Sequence, residues 1–233
     1  LLTQEQVMPS IRLYSGPLSM FGAKAQIAAL EKRIDVVLTM VPFEMKSLYE
    51  PKHADVLRIN PKRQVPVLIH DDVEIFDSTQ IFEYLEDLQP APPLWPTDIA
   101  GRASARLLEL KSDEVYFPHV IRLMGLQDKP EDTAAIAARA GAAGFYTELE
   151  TLLSDGRDWL AGAAFTYADI AFYMAQIFGD RMGAPIPAAH HRLIAWRERM
   201  GQRDSVRQVA GAMARYLLGQ NRRVPVFMQA LLD

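Results

Sequence analysis

The chain has 233 residues, 49% of them hydrophobic and 23% charged, which is room for one large domain or two small ones with an ordinary globular composition. It has no cysteine, which excludes disulfides, thiolate metal sites and a cysteine nucleophile, and its apolar runs fall far short of the roughly 20 residues a membrane-spanning helix needs. The net charge of −4 arises before Pro90, where 13 acidic residues face 9 basic ones; with no basic stripe, neither nucleic acid nor membrane is expected as a partner.

Leu1–Val7 read as a polar leader. No signal-peptide pattern opens the chain, and a cytoplasmic protein is expected. A first domain is expected over residues 8–90. Ile11–Tyr14 is a short strand, Ser15-Gly16-Pro17 a turn, and Ser19 precedes a helix from about Met20 to Arg33 with Ile27, Leu30 and Ile34 on its inner face. Ile34–Leu38 is a second strand, parallel to the first if the connection is a right-handed βαβ unit. Phe43–Leu57 is polar and at most partly helical.

From Asn60 the pattern sharpens. Val65, Val67, Leu68 and Ile69 make a short strand closed by the turn pair Asp71-Asp72. Pro66 cannot donate to a ladder, so it implies an edge or an unusual local geometry, and an X-Pro bond is the kind that adopts cis cheaply. With Val65-Pro66 cis, the Val65 backbone turns away from the sheet and can pair with an extended, peptide-like ligand. Val73, Ile75 and Phe76 return as a strand, and from Ser78 a helix places Ile81, Phe82, Leu85 and Leu88 on one face. Asp77 or Ser78 caps it. Such a corner can hold an α-carboxylate through Ser78 and the helix N-terminus and an α-ammonium through Asp77, which suits a small zwitterionic peptide. Singly, these pieces are an ordinary hairpin and a capped helix; together they point to a site.

Pro90 to Pro96 holds four prolines in seven residues, a stiff boundary. An all-helical domain is expected over 98–233. Leu107, Leu110, Phe117, Ile121 and Met124 form a stripe on a first long helix that Pro118 should kink. A second helix runs from about Thr133 to Leu153 with Phe145, Leu149 and Leu152. Thr166-Tyr167-Ala168-Asp169 is a capping box with Phe165 and Ile170 as a hydrophobic staple, so Asp169 reads as a folding signal and not as a catalyst. Ala189–Arg199 is a further helix, and Arg215–Asp233 a tail without an assigned place.

Asn60-Pro61, Val65-Pro66-Val67-Leu68 and Asp77-Ser78 with Ile81 and Tyr84-Leu85 resemble the glutathione-binding half of the soluble glutathione transferases, and the capping box extends the likeness to residues 11–200. The resemblance implies an α+β protein, a thioredoxin-like β-α-β, β-β-α domain followed by an all-helical one. It implies that Val65, before Pro66, pairs with the cysteinyl unit of glutathione while Asp77 and Ser78 hold the γ-glutamyl end. Ser19-Met20-Phe21 resembles the first helix start of the serine-type branches, tau and theta above all, where a serine donates a hydrogen bond to the glutathione sulfur.

A thiol of pKa near 8.5 attacks well only as thiolate. A hydrogen bond to a charged acceptor contributes roughly 1.5–3 kcal/mol, enough to lower the thiol by one to two pKa units. Ser19 would then stabilise a nucleophile that is not its own; no Gly-x-Ser-x-Gly elbow surrounds it and the five histidines lack a metal-binding spacing. Its plain structural role is a helix N-cap, and Tyr14 and Ser15 are rival donors. Gln64 is expected at the glycyl end, with Lys52, His53, Lys62 and Arg63 nearby in sequence.

A pocket for a small hydrophobic electrophile is expected between the domains, lined by Met20, Tyr116, Phe117, His119 and Val120. These implications give a glutathione transferase, with glutathione as co-substrate and no cofactor or metal, expected to be a homodimer. A glutathione-dependent isomerase, dehalogenase or ether-cleaving enzyme, and a non-catalytic interaction protein that keeps the fold, are the alternatives.

Overall fold

The computed structural model describes residues 10–232, and the leader expected over Leu1–Val7 lies outside them. The chain forms two compact units, the first ending at Pro90 and the second starting at Ala91.

The first unit runs β1 (Ile11–Ser15), α1 (Met20–Glu31), β2 (Val36–Met40), α2 (Ala54–Ile59), β3 (Val67–His70), β4 (Val73–Phe76) and α3 (Ser78–Leu88). The sheet order is β2-β1-β3-β4, with β1 parallel to β2 and the other neighbours antiparallel. This is the β-α-β, β-β-α order of a thioredoxin-like domain. Period-2 alternation gives the sheet two buried faces. Ile11, Leu13 and Leu68 face Ala25 and Ala29 of α1 and Ile81 and Leu85 of α3. Tyr14, Val67 and Ile69 face the other way, toward Val41 and Val56. Leu13, Leu68, Ile81 and Leu85 are wholly buried, and each such side chain contributes about 1.5–3 kcal/mol.

Two expectations shift. Leu30 and Leu88 are exposed; the inner stripe of α1 instead uses alanines, which let the helix approach the sheet closely. The second strand starts at Val36 because Arg33 adopts φ 57° and Ile34 N–H bonds the Ala29 carbonyl at 2.9 Å, a left-handed helix stop that consumes Ile34. The buried Lys32 ammonium donates to Glu86 Oε2 at 2.5 Å and ties α1 to α3.

The second unit is helical: α4 (Ile99–Lys111), a π-helical turn (Ser112–Tyr116), α5 (Phe117–Met124), α6 (Thr133–Leu152), α7 (Tyr167–Arg181), α8 (His191–Gly201), α9 (Asp204–Gly219) and a short 3-10 stretch (Val226–Leu231). The distortion expected from Pro118 takes the form of the π turn just before it, where Phe117 N–H reaches back five residues to Ser112 O. Helix α7 is the axis of the unit, buried from Tyr167 to Asp180. Around it Tyr116, Phe145, Tyr146, Phe172 and Trp196 pack with ring centroids 5.2–5.6 Å apart. The Tyr116 hydroxyl pairs with Tyr146 at 2.6 Å, and Tyr146 donates to Ala184 O at 2.6 Å. Gly179 makes room for this, since a Cβ there would stand 1.8 Å from the Tyr116 hydroxyl.

The stripe expected on the kinked helix is corrected. Phe117 is buried as expected, but Leu107, Leu110 and Ile121 are exposed, and Ala105, Glu109, Ser112, Tyr116, Val120 and Leu123 are buried instead. The capping box opens α7: Asp169 Oδ2 accepts from Thr166 N–H at 2.9 Å and Oγ1 at 3.0 Å, while Oδ1 accepts from Leu160 N–H at 2.8 Å and the Trp196 indole at 2.9 Å. Phe165 packs edge-on against Trp159, with the Arg203 guanidinium 3.7 Å from its ring centroid. No membrane-crossing helix and no metal-holding cluster of His, Asp and Glu occurs among the described residues.

Candidate functional site

Sheet register brings the sequence-predicted residues of the first unit to one end of the sheet. Val67 pairs with Tyr14 on one side and Phe76 on the other. The end of β1 that leads to Ser15 and Ser19, the start of β3 after Val65-Pro66, and the end of β4 before Asp77-Ser78 therefore lie side by side. The Val65-Pro66 bond is cis. Pro66 precedes the first ladder residue of a central strand, so the unusual local geometry is found and the edge is not.

Ser19 is the N-cap of α1. Its backbone is extended (φ −89°, ψ 108°) and its Oγ accepts from Gly22 N–H at 2.9 Å. That bond uses a lone pair, and the hydroxyl proton meets no acceptor among the described residues. Tyr14 is committed elsewhere: its hydroxyl donates to Asp55 Oδ2 at 2.5 Å and its ring lies 4.7 Å from His53. Burial, then the Asp55 carboxylate, raises the Tyr14 pKa, while the Tyr14 hydrogen bond holds Asp55 low. Ser15 is wholly buried and accepts from Gln26 Nε2 at 2.7 Å. Gly22 separates the two serines; a Cβ on it would stand 2.1 Å from Ser15 Oγ and 3.0 Å from Ser19 Oγ. Met20, next to Ser19, is buried.

Asn60 organises the loop before Val65. This buried amide accepts from Lys62 N–H at 2.9 Å and donates to Gln64 O at 2.6 Å, while the Asn60 carbonyl accepts from Arg63 N–H at 2.8 Å. The loop is thereby pinned with Arg63 at φ 56°. Lys62, Arg63 and Gln64 are exposed and Val65 is half-buried against the sheet. The sequence showed Asn60 as part of a motif but not in this role; an Asn whose side chain can take the backbone N–H two residues on is the signal. His53 Nδ1 accepts from Asp55 N–H at 3.2 Å as the cap of α2, and Lys52 pairs with Glu50 at 3.2 Å.

Asp77 is the cap of α3. Its Oδ1 accepts from Thr79 N–H at 3.0 Å and Gln80 N–H at 3.4 Å, and Oδ2 accepts no hydrogen bond among the described residues. Its backbone sits at φ 76°, ψ 131°, a region that costs a non-glycine residue about 1–3 kcal/mol and persists where surroundings over-determine it, often at binding sites. Ser78 is buried at the first position of α3. The corner thus presents a half-used carboxylate beside a buried serine at the positive end of an 11-residue helix.

Of the residues expected to line an electrophile pocket, four lie in the second unit. Tyr116, Phe117 and Val120 are buried, Tyr116 and Phe117 against rings of the same unit. His119 is half-buried over Gly141, whose added Cβ would stand 2.3 Å from the imidazole.

A β-α-β, β-β-α unit with a cis-proline beside an Asp-Ser helix start, followed by a helical unit, defines a glutathione S-transferase-type protein. Family comparison agrees: residues 13–93 match the glutathione S-transferase N-terminal domain and residues 113–204 the C-terminal domain. The chain belongs to the glutathione S-transferase family. It is 30% identical to a probable glutathione S-transferase, parC, of Nicotiana tabacum over 81% of this chain and 83% of that one. It is 26% identical to a stringent starvation protein A homolog of Pasteurella multocida over 84% and 92%. Among solved structures, a glutathione S-transferase from Rhodospirillum rubrum shares 29% identity over 86% of this chain and 91% of its own, with a TM-score of 0.72.

Proposed function

We propose that this protein binds glutathione at the end of the first-unit sheet and activates its thiol for attack on a small hydrophobic electrophile. The observation that carries the reading is Ser19, a capping serine whose oxygen is held by Gly22 N–H while its proton is left to donate. In this reading the thiolate takes that proton as a hydrogen bond, Val65 pairs through its backbone with the cysteinyl unit, and Asp77 Oδ2 and Ser78 hold the γ-glutamyl end. Gln64 faces the glycyl carboxylate. Tyr14, bound to Asp55, serves the fold.

The working form is a two-fold dimer, with the first domain of each chain against the second domain of the other. Supporting this, Leu107, Leu110, Val115 and Ile121 lie exposed along α4 to α5, and Val37, Leu38 and Met40 lie exposed on the edge strand β2.

Ser19→Ala tests the chemistry. Glutathione affinity by calorimetry should stay nearly intact, since the other contacts remain. The rate with a generic aryl halide should fall about ten- to hundredfold at neutral pH, and raising the pH should recover part of it as the thiol ionises unaided. A second reading, a non-catalytic interaction protein, is favoured by the relatives named stringent starvation protein A homologs. If no aryl halide is turned over and Ser19→Ala changes nothing, that reading replaces the first.

A further inference from the structure

Helix α7 carries a polar stripe inside an apolar unit. Tyr173, Gln176 and Asp180 follow one another at steps of three and four residues, so they share a face. Interiors pair nearly all their polar groups. Here the Tyr173 hydroxyl, buried completely, has no hydrogen-bond partner among the described residues, and neither atom of the buried Gln176 amide meets hydrogen-bond geometry. Asp180 accepts one long contact, from Arg223 at 3.5 Å. Across from this stripe stands Arg197 of α8. Its guanidinium lies over the Phe227 ring, 4.2 Å from the centroid, with Nε buried and with no hydrogen bond or salt bridge among the described residues. Burial lowers its pKa from the usual guanidinium value, the mark of a cation stripped of water without a full counter-charge.

Beside these donors lies a cavity of about 260 Å³, where the Val226–Leu231 stretch passes over α8 and the start of α9. Phe227 and Leu231 give it apolar walls, and Tyr173, Arg197 and Arg207 give it polar ones. Glu198, exposed, and Gln202 complete the lining, so its charged groups are two arginines against one carboxylate. Gly201 lies on the same wall, where a Cβ would stand in ordinary contact, 3.9 Å from the Tyr173 hydroxyl and 3.6 Å from Leu231 Cδ2.

We propose that this cavity is a second ligand site, built for a small aromatic carboxylate. The carboxylate lies between the Tyr173 hydroxyl and the Arg197 guanidinium, and the ring lies against Phe227 and Leu231. Two unsatisfied donors call for an anionic acceptor, and the flat apolar wall calls for a ring. The site lies wholly in the helical unit and does not rest on the thiol chemistry proposed above.

The test is calorimetric titration of the whole chain with 1-naphthoate and with its neutral analogue 1-naphthalenemethanol. The expected result is saturable one-to-one binding of the acid, with the alcohol at least tenfold weaker. Arg197→Met, which keeps an apolar stem, should weaken the acid about ten- to hundredfold, and Tyr173→Phe should weaken it less. No saturable binding, equal binding of the alcohol, or unchanged binding by Arg197→Met overturns the proposal. Should that variant fail to fold, the wild-type protein decides by NMR. The methyl resonances of Leu231 should move in step with binding of the acid, and a site that saturates while they stay still is elsewhere.

Discussion

Asp77 and Asp169 both stand at helix starts, and their surroundings give them opposite jobs. Asp169 is buried at the start of α7 with four donors converging on its two oxygens: two backbone amides, a hydroxyl and an indole. Burial alone raises its pKa, and those four bonds oppose the shift. Nothing is left over for a ligand. Asp77 caps α3 with one oxygen, keeps the other free of hydrogen bonds among the described residues, and holds a strained φ of 76°. A carboxylate satisfied on every side is a folding residue. A half-satisfied one, strained and beside a buried serine, has capacity left for an ammonium group.

The largest effect is expected at Asp169. Asp169→Ala orphans buried donors and should cost about 3–5 kcal/mol in chemical denaturation, with glutathione affinity of the folded protein unchanged. A loss of affinity in fully folded protein would put Asp169 at the site and erase the distinction. Asp77→Asn separates capping from binding. Asparagine caps as well as aspartate and tolerates positive φ, so stability should hold within about 0.5 kcal/mol. Glutathione affinity should fall about ten- to hundredfold by calorimetry, the loss of one charge-assisted bond. Equal affinity would make both aspartates folding residues.

The smallest effect is expected at a third helix start, where Asp55 in the first turn of α2 receives Tyr14. Tyr14→Phe should cost about 1 kcal/mol and leave the aryl-halide rate nearly unchanged. The Tyr14 bond lowers the folded pKa of Asp55 below its ordinary 3.8, so its contribution is complete above that value and is lost as pH falls through the folded pKa. Acid unfolding curves of Tyr14→Phe should therefore show a smaller loss of stability below that pH than wild type.

The succession of strands and helices along the first unit and the capping box were legible because each rests on local chemistry: alternation, and a hydroxyl spaced three residues from an acid. The buried stripe that runs from α4 into the π turn was not, since Ala105, Glu109 and Ser112 occupy it and larger apolar residues lie outside. Hydrophobicity ranks side chains; it does not say which face a crowded neighbour leaves open. Helix α9 escaped although Val206, Val209, Ala210, Met213, Ala214 and Leu217 repeat at three- and four-residue steps and are buried. At the candidate site, the Asp77-Ser78 pair was visible. The positive φ of Asp77 was not, because only glycine announces that conformation, and the role of Asn60 needed three dimensions.

The π turn at Ser112–Tyr116 acts as a one-residue insertion in an otherwise regular helix. Such a turn takes up its extra residue locally, so removing one would relax the segment to ordinary helix while α4 and α5 keep the faces they present. A deletion in the regular part of α4 has no such slack, and the residues before it would turn by roughly 100° about the axis relative to Tyr116, which fills the notch at Gly179 and starts the hydroxyl chain through Tyr146 to the Ala184 carbonyl. Chain length is thus under looser constraint in this turn than in the helix before it. Deletion of one of the exposed residues Glu114 and Val115 should cost less stability in chemical denaturation than deletion of one residue inside α4.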